Sequence, residues 1–318
     1  MTVSRALRGA GGVGEETAER IRRYANSVNY QPDLVARSLA VKRTHAIGVI
    51  IPNLRHSFWH DVIIAIEQHV RSAGYTVVIT HSDDDPERER SEIDLLVSRR
   101  VDALLVASCA RDCNLAALER VDAQGVPVVL FDRYPERFTG PGVFTDDVGG
   151  ARAVVQHLAG LGRTRIAHLA GDMAYSPARD RLRGYEDAMR ELGLQSIVVA
   201  AGFGEENGYR AMQRLLNEGN ADAVFAVHDY SAIGAMDAAL ERGLRIPEDI
   251  ALVGYGATDC AKHVTVPLTT VVQPMELMGE CIARQALNRV AGAKNADQRV
   301  VLPTSLIVRR SSVDNNVL

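Results

Sequence analysis

From Ala46 onward the chain alternates between short, wholly apolar runs and longer stretches with apolar residues every three or four positions. Ala46–Ile51 is the first run, and its unbroken apolar character predicts a strand buried on both faces of a parallel sheet. Ser57 to Ala73 follows, with Phe58, Val62, Ile66 and Val70 at helical spacing and Gly74 placed to close the helix. Strands at Thr76–Thr80, Ala103–Val106 and Val126–Phe131 are separated by helices over Pro86 to Arg99 and Asp112 to Ala123. The rhythm then restarts. Helices over Val148–Leu161, Ala178–Leu192, Glu205–Asn217 and Tyr230–Arg242 alternate with strands at Ile166–Ala170, Ile197–Ala200, Ala223–Val227 and Ile250–Gly254. Pro274 to Val290 reads as a last helix, followed by short strands at Arg299–Leu302 and Ser305–Val308. The pattern predicts an α/β fold of two lobes, each a doubly wound parallel sheet, with a cleft between them.

The front of the chain is patterned differently. Thr2–Arg8 and Glu15 to Val28 are helical in pattern, the second with Ile21, Ala25 and Val28 on one face and Glu15 and Glu16 favourable to its dipole. Between them Gly9-Ala10-Gly11-Gly12-Val13-Gly14 formally spells G-x-G-x-x-G, but a helix precedes it where a dinucleotide site needs a strand. A short helix is predicted after Pro32, which suits a helix's first turn. Its length is too small for stability alone in water, so it should order only when something holds it.

Tyr30-x-Pro32 followed by Val35-Ala36-Arg37-Ser38-Leu39 resembles the hinge helix of the LacI/GalR transcription regulators, and Thr2-Val3-Ser4-Arg5-Ala6-Leu7-Arg8-Gly9 resembles that family's recognition helix. The resemblance runs from Thr2 to about Ser312. It implies a partial helix-turn-helix headpiece over residues 1–31, a hinge and linker over 32–45, and a two-lobed, periplasmic-binding-protein-like effector core. One lobe would hold 46–147 plus about 275–296, the other 148–274 plus about 297–312, with 313–318 as a tail. Thr2, Ser4, Arg5, Tyr30, Arg37, Ser38 and Leu39 are the implied contacts to double-stranded DNA, with Leu39 pressed into the minor groove as a kinking wedge. The family pattern also implies a homodimer on a palindromic operator; Ile233, Met236 and Leu240 are candidates for a dimer surface. Met1 falls inside what resembles the recognition helix, so the resemblance implies a bracing helix upstream; the other reading is a shortened regulator that cannot dock in the major groove.

Charge agrees with this division. The 318 residues carry a net charge of −4, yet residues 1–45 hold eight Lys/Arg against four acids, +4, which leaves −8 for the rest. A basic end on an acidic body points to an anionic partner for the end only. No apolar stretch is long enough for a membrane span and residues 1–20 lack a signal core, so the chain reads as cytoplasmic and nucleoid-associated. Four cysteines do not make a disulfide scaffold, and Cys109-x₃-Cys113 is at most half a zinc site, so no metal is expected. G-x-S-x-G, H-E-x-x-H and P-loop motifs are absent, and no enzyme is read. Asp83-Asp84-Asp85 ahead of Pro86 reads as a helix cap.

Ligands of open α/β sheets sit beyond the carboxyl ends of the strands. That rule selects Phe58 and Trp59 after the first strand, Asp132 after the fourth and Asp146 beyond it. Trp59 is the only tryptophan and lies off the apolar stripe, as a cleft wall would. Arg181-x-x-Gly184-Tyr185 matches the family's effector-binding arginine, whose loss would then spare the fold. By resemblance Phe225 lines the pocket while His228 and Asp229 face the ligand. By the same resemblance, many relatives carry Gly-[Phe/Tyr]-Asp at the end of the Ile250–Gly254 strand, where this chain reads Gly254-Tyr255-Gly256. A carboxylate that would hold ligand hydroxyls is therefore missing, with Asp259 three residues on. The whole reads as a ligand-responsive DNA-binding regulator, a repressor by resemblance, with no cofactor and a sugar or sugar derivative as effector. The alternative is a small-molecule binding protein without DNA function.

Overall fold

The computed structural model describes residues 2–8, 11–28, 30, 43–55, 57–109, 111–219, 221–293 and 299–313. The hinge positions Arg37, Ser38 and Leu39 lie outside the described residues, as does the side chain of Ser4. The chain forms two compact units, Met1–Thr44 and His45–Leu318.

In the first unit, helix α1 (Thr2–Arg8) packs on α2 (Glu15–Ser27). Small side chains make the contact: Ala6, Ala18 and Ala25 are buried, and Arg22 Nε donates to the Ala6 carbonyl at 3.2 Å. Thr2, Arg5 and Tyr30 are exposed. Val3, Ile21, Tyr24, Ala25, Val28 and Tyr30 line an open apolar groove of about 480 Å³.

The second unit contains two six-stranded sheets. The first has the order β11-β5-β4-β3-β1-β2, built from β1 (Ala46–Ile51), β2 (Thr76–His81), β3 (Ala103–Val106), β4 (Val128–Phe131), β5 (Gly142–Thr145) and β11 (Arg299–Leu302). The second has the order β12-β10-β9-β8-β6-β7, from β6 (Ile166–Ala170), β7 (Ile197–Ala200), β8 (Ala223–Ala226), β9 (Ala251–Tyr255), β10 (Thr269–Val272) and β12 (Ser305–Ile307). Every pairing is parallel except β10 with β12.

Helices cover both faces of each sheet, which is why the strands are apolar throughout. On the first sheet Val49 and Leu105 point to α3 (Ser57–Ser72) and α10 (Met275–Val290), while Ile50 and Leu104 point to α4 (Pro86–Ser98) and α5 (Leu115–Ala123). On the second sheet Val224 and Ala226 face α8 (Glu205–Glu218) and α9 (Asp229–Glu241), whereas Phe225 and Val253 face α6 (Asp147–Gly160) and α7 (Ser176–Glu191). Helices α8 and α9 meet at glycines: a Cβ on Gly208 would stand 1.9 Å from the Ser231 carbonyl oxygen, and one on Gly234 1.9 Å from that of Glu205. Met236 is buried in this lobe's own core, so it does not serve the surface role assigned from its spacing.

The chain passes between the lobes three times, after β5, after β10 and after β11. Two strands absent from the sequence reading, β5 and β10, carry two of these passages. The third corrects a boundary. Arg299–Leu302 pairs with Gly142–Thr145 in the first sheet, so residues 297–312 do not all belong to the second lobe. Asp85 caps α4 as the sequence suggested, accepting from the Glu87 amide at 2.9 Å. Among the described residues no helix is long and apolar enough to cross a membrane.

Candidate functional site: the cleft between the lobes

In each sheet the strand order reverses beside its first strand, and the crevice outside the carboxyl ends is where such folds hold ligands. Phe58, Trp59, Asp132, Arg133, Pro177, Arg181, Phe203, His228 and Gln273 line it. They follow β1, β4, β6, β7, β8 and β10. Five of the eight residues selected from sequence are therefore brought together: Phe58, Trp59, Asp132, Arg181 and His228.

The aromatic wall comes from the first turn of α3. Phe58 and Trp59 meet edge to face at 4.9 Å, and Trp59 meets Phe131 edge to face at 6.1 Å. That packing fixes the indole as a rigid surface. Asp132 follows Phe131 with φ 56, a left-handed conformation that aspartate tolerates better than most residues. Burial pushes its carboxyl up to about 6, against the downward pull of Arg133; Asp147 raises it and Arg181 lowers it.

Arg181 projects from α7 and is 3% exposed. Its Nε and one terminal nitrogen reach Asp147 Oδ1, both at 3.0 Å, and the other terminal nitrogen donates to the Val227 carbonyl at 2.7 Å. The guanidinium carbon lies 3.7 Å from the Tyr255 ring centre. Planar stacking plus forked donation is what arginine offers and lysine does not. Burial raises the Asp147 carboxyl while the Arg181 guanidinium pulls it down.

His228 caps α9. Its Nδ1 accepts from the Tyr230 amide at 3.3 Å, so a neutral ring carries its proton on Nε2. A Cβ on Gly256 would stand 3.2 Å from that Nε2, and Gly256 has φ +121, where an L side chain is strained. The imidazole thus lies against the position of the missing carboxylate.

Three sequence-selected residues sit elsewhere. Asp146 is exposed and caps α6 by accepting from the Gly149 amide at 2.8 Å; the carboxylate that meets Arg181 is its neighbour Asp147. Phe225 is fully buried and stacks on His168 at 4.6 Å, because the pleat turns it toward α6 and α7. Asp229 is also fully buried, accepting from the Thr258 amide at 2.7 Å, the Thr258 hydroxyl at 3.0 Å and the Thr270 hydroxyl at 2.6 Å. It braces the floor beneath Gly256 instead of presenting oxygen to the cleft. Asp259 is exposed, outside the lining. The residues selected from sequence did not include Arg133, Pro177, Phe203 or Gln273. Arg133 and Pro177 lie in the strand-end segments that the rule reaches, whereas Phe203 and Gln273 follow strands to which it was not applied.

Comparison with known proteins places this geometry. A family model described as a periplasmic binding protein-like domain matches residues 155–312. The chain is 30% identical to the HTH-type transcriptional regulator DegA of Bacillus subtilis (strain 168), over 98% of this chain and 94% of that protein. It is 32% identical to the regulator CelR of Thermobifida fusca, with the same coverages of 98% and 94%. A crystal structure of the Lac repressor dimer bound to operator and an anti-inducer superposes with a TM-score of 0.91 at 28% identity, covering 98% of this chain and 94% of that one. With relatives this similar along nearly its whole length, the chain belongs to the LacI/GalR family of ligand-responsive, DNA-binding transcription regulators.

Proposed function

We propose that the cleft binds a sugar or sugar derivative and that occupancy changes the protein's affinity for a palindromic operator. The observation that carries this reading is the convergence past the strand ends of one carboxylate, two guanidinium groups, one imidazole N–H and a flat aromatic wall. Asp132 accepts from ligand hydroxyls, Arg181 and His228 donate to ligand oxygens, and Trp59 and Phe58 cover an apolar ring face. Support for a sugar comes from the complex of the regulator CelR with cellobiose, to which the chain is 30% identical with a TM-score of 0.77.

The DNA-facing residues are Thr2, Ser4, Arg5, Tyr30, Arg37, Ser38 and Leu39, used twice in a cytoplasmic homodimer so that each copy reads one half-site. The coupling is linkage: a ligand that favours one lobe arrangement biases the arrangement in which DNA is held, and DNA biases ligand affinity equally. Titration calorimetry against a panel of mono- and disaccharides, paired with operator mobility shifts with and without each hit, tests the reading. Heat from at least one sugar and a shifted operator midpoint are expected. A panel with no heat, or a binding sugar that leaves DNA affinity unchanged, overturns it.

A further inference from the structure

The space left between the lobes at this site is about 50 Å³. That is room for a water or two, where small-molecule sites run to roughly 300–1,000 Å³. Arg133 is one of the residues that line this space. It leaves β4 on the first lobe, just after the left-handed Asp132. Its guanidinium carbon stands 4.3 Å from the ring centre of Tyr175, 5.7 Å from Trp59 and 6.0 Å from Phe203. Trp59 belongs to the same lobe as Arg133, while Tyr175 and Phe203 belong to the other.

The arginine is anchored from its own side. Asp84 Oδ1 is 2.5 Å from a terminal nitrogen, and Asp132 Oδ2 is 3.9 Å from Nε. Asp83 and Asp84 both have left-handed backbone, which turns Asp84 back toward the cleft. These ion pairs join residues of one lobe, so separating the lobes would leave them intact. The stacking on Tyr175 and Phe203 joins the two lobes and would be lost. A contact made in one state and not the other is what shifts a two-state equilibrium. A weakly hydrated planar cation over aromatic faces is favourable in itself. The neighbouring Tyr134 joins the same closure: its amide donates to Ser176 Oγ at 3.1 Å and its hydroxyl to Asp180 at 2.7 Å.

We propose that Arg133 is a built-in latch that holds the cleft closed by occupying an aromatic cage shared between the lobes. An effector then binds by displacing the guanidinium from the Tyr175 and Phe203 faces. What replaces it meets two rings and the Asp132 carboxylate, so it must offer an apolar face and hydrogen-bond donors. This consequence rests on reading the cleft as the effector site; the latch itself is measured without effector.

The test is small-angle scattering and Trp59 fluorescence on the ligand-free full chain, since Trp59 is the only tryptophan and is 3% exposed. Arg133→Ala should shift the closed-to-open ratio by about 2- to 30-fold, the range one cation–π contact spans. The radius of gyration rises and the tryptophan emission moves to longer wavelength. Millimolar guanidinium ion should reverse both changes, while sodium at equal ionic strength should not. Tyr175→Leu keeps Arg133 and its ion pairs, removes a ring from the second lobe, and should also open the cleft; it stands in if Arg133→Ala does not fold. Wild-type dimensions and emission in the folded variants overturn the latch. A chain that opens on loss of the latch yet binds no sugar keeps this inference and refutes only the sugar reading.

Discussion

Replacing Arg181 by alanine should cost the fold as well as the ligand. A side chain serving the ligand alone could be removed without harm, which is what the motif suggested. The geometry differs: Arg181 and Asp147 have side chains only 4% exposed, and among the described residues Arg181 is the cation paired with Asp147. Removing the guanidinium strands a buried carboxylate, unpairs the Val227 carbonyl and empties the face of Tyr255. Breaking one side of a buried pair costs about 3–5 kcal/mol. For a folded unit of this size each kcal/mol lowers Tm by roughly 2–4 °C, so a fall of about 6–20 °C is expected. Asp147 can limit the loss by taking up a proton, which burial already favours. Arg181→Ala should therefore lose less stability at pH 5 than at pH 7. Arg181→Ala combined with Asp147→Asn should recover part of the loss, because the stranded charge is gone. Differential scanning calorimetry of the two single variants, the double variant and wild type closes the cycle. If Arg181→Ala melts within 2 °C of wild type and the double variant is no better, the pair does not hold the second lobe together as argued.

Asp132 sets a pH dependence of known sign. Its folded value of about 6 lies above its ordinary 3.8, so its contribution is present below about pH 4 and lost as pH rises through 6. Wild type should gain about 1 kcal/mol relative to Asp132→Asn between pH 7 and pH 5, read as a difference in chemical-denaturation midpoints. Gly256→Asp introduces the carboxylate that the family resemblance led us to expect, but places it at φ +121 against His228; a loss of roughly 1–3 kcal/mol is expected, and an unchanged melt would mean that the loop rebuilds. Gly208→Ala drives a methyl into the Ser231 carbonyl at the α8–α9 crossing, and should leave little folded protein by circular dichroism at 37 °C. Leu39→Ala should weaken operator binding far more than binding to random DNA in mobility shifts, since a wedge acts only where the duplex kinks; equal losses would refute that role.

Much of the architecture was legible in one chain of letters. Unbroken apolar runs such as Ala46–Ile51 are strands covered on both faces, and their alternation with amphipathic helices implies a parallel sheet whatever the partners. Once strands are placed, the rule that ligands gather past their carboxyl ends reaches Trp59 and Asp132, and the family resemblance adds Arg181 and His228. The same apolar runs conceal their own parity. In Ala223–Ala226 every residue is buried, so nothing local says that Phe225 faces α6 and α7 while its neighbours face α8 and α9. Asp146 and Asp147 are likewise indistinguishable until a helix start assigns one to the cap and the other to Arg181. The antiparallel β10–β12 pair and the return of Arg299–Leu302 to the first sheet depend on partners far along the chain. Arg133 among the rings of Trp59, Tyr175 and Phe203 is the extreme case. Local sequence determines where a strand ends and which residue follows it. Only the packing of one lobe against the other decides what that residue touches, because the contact belongs to neither lobe alone.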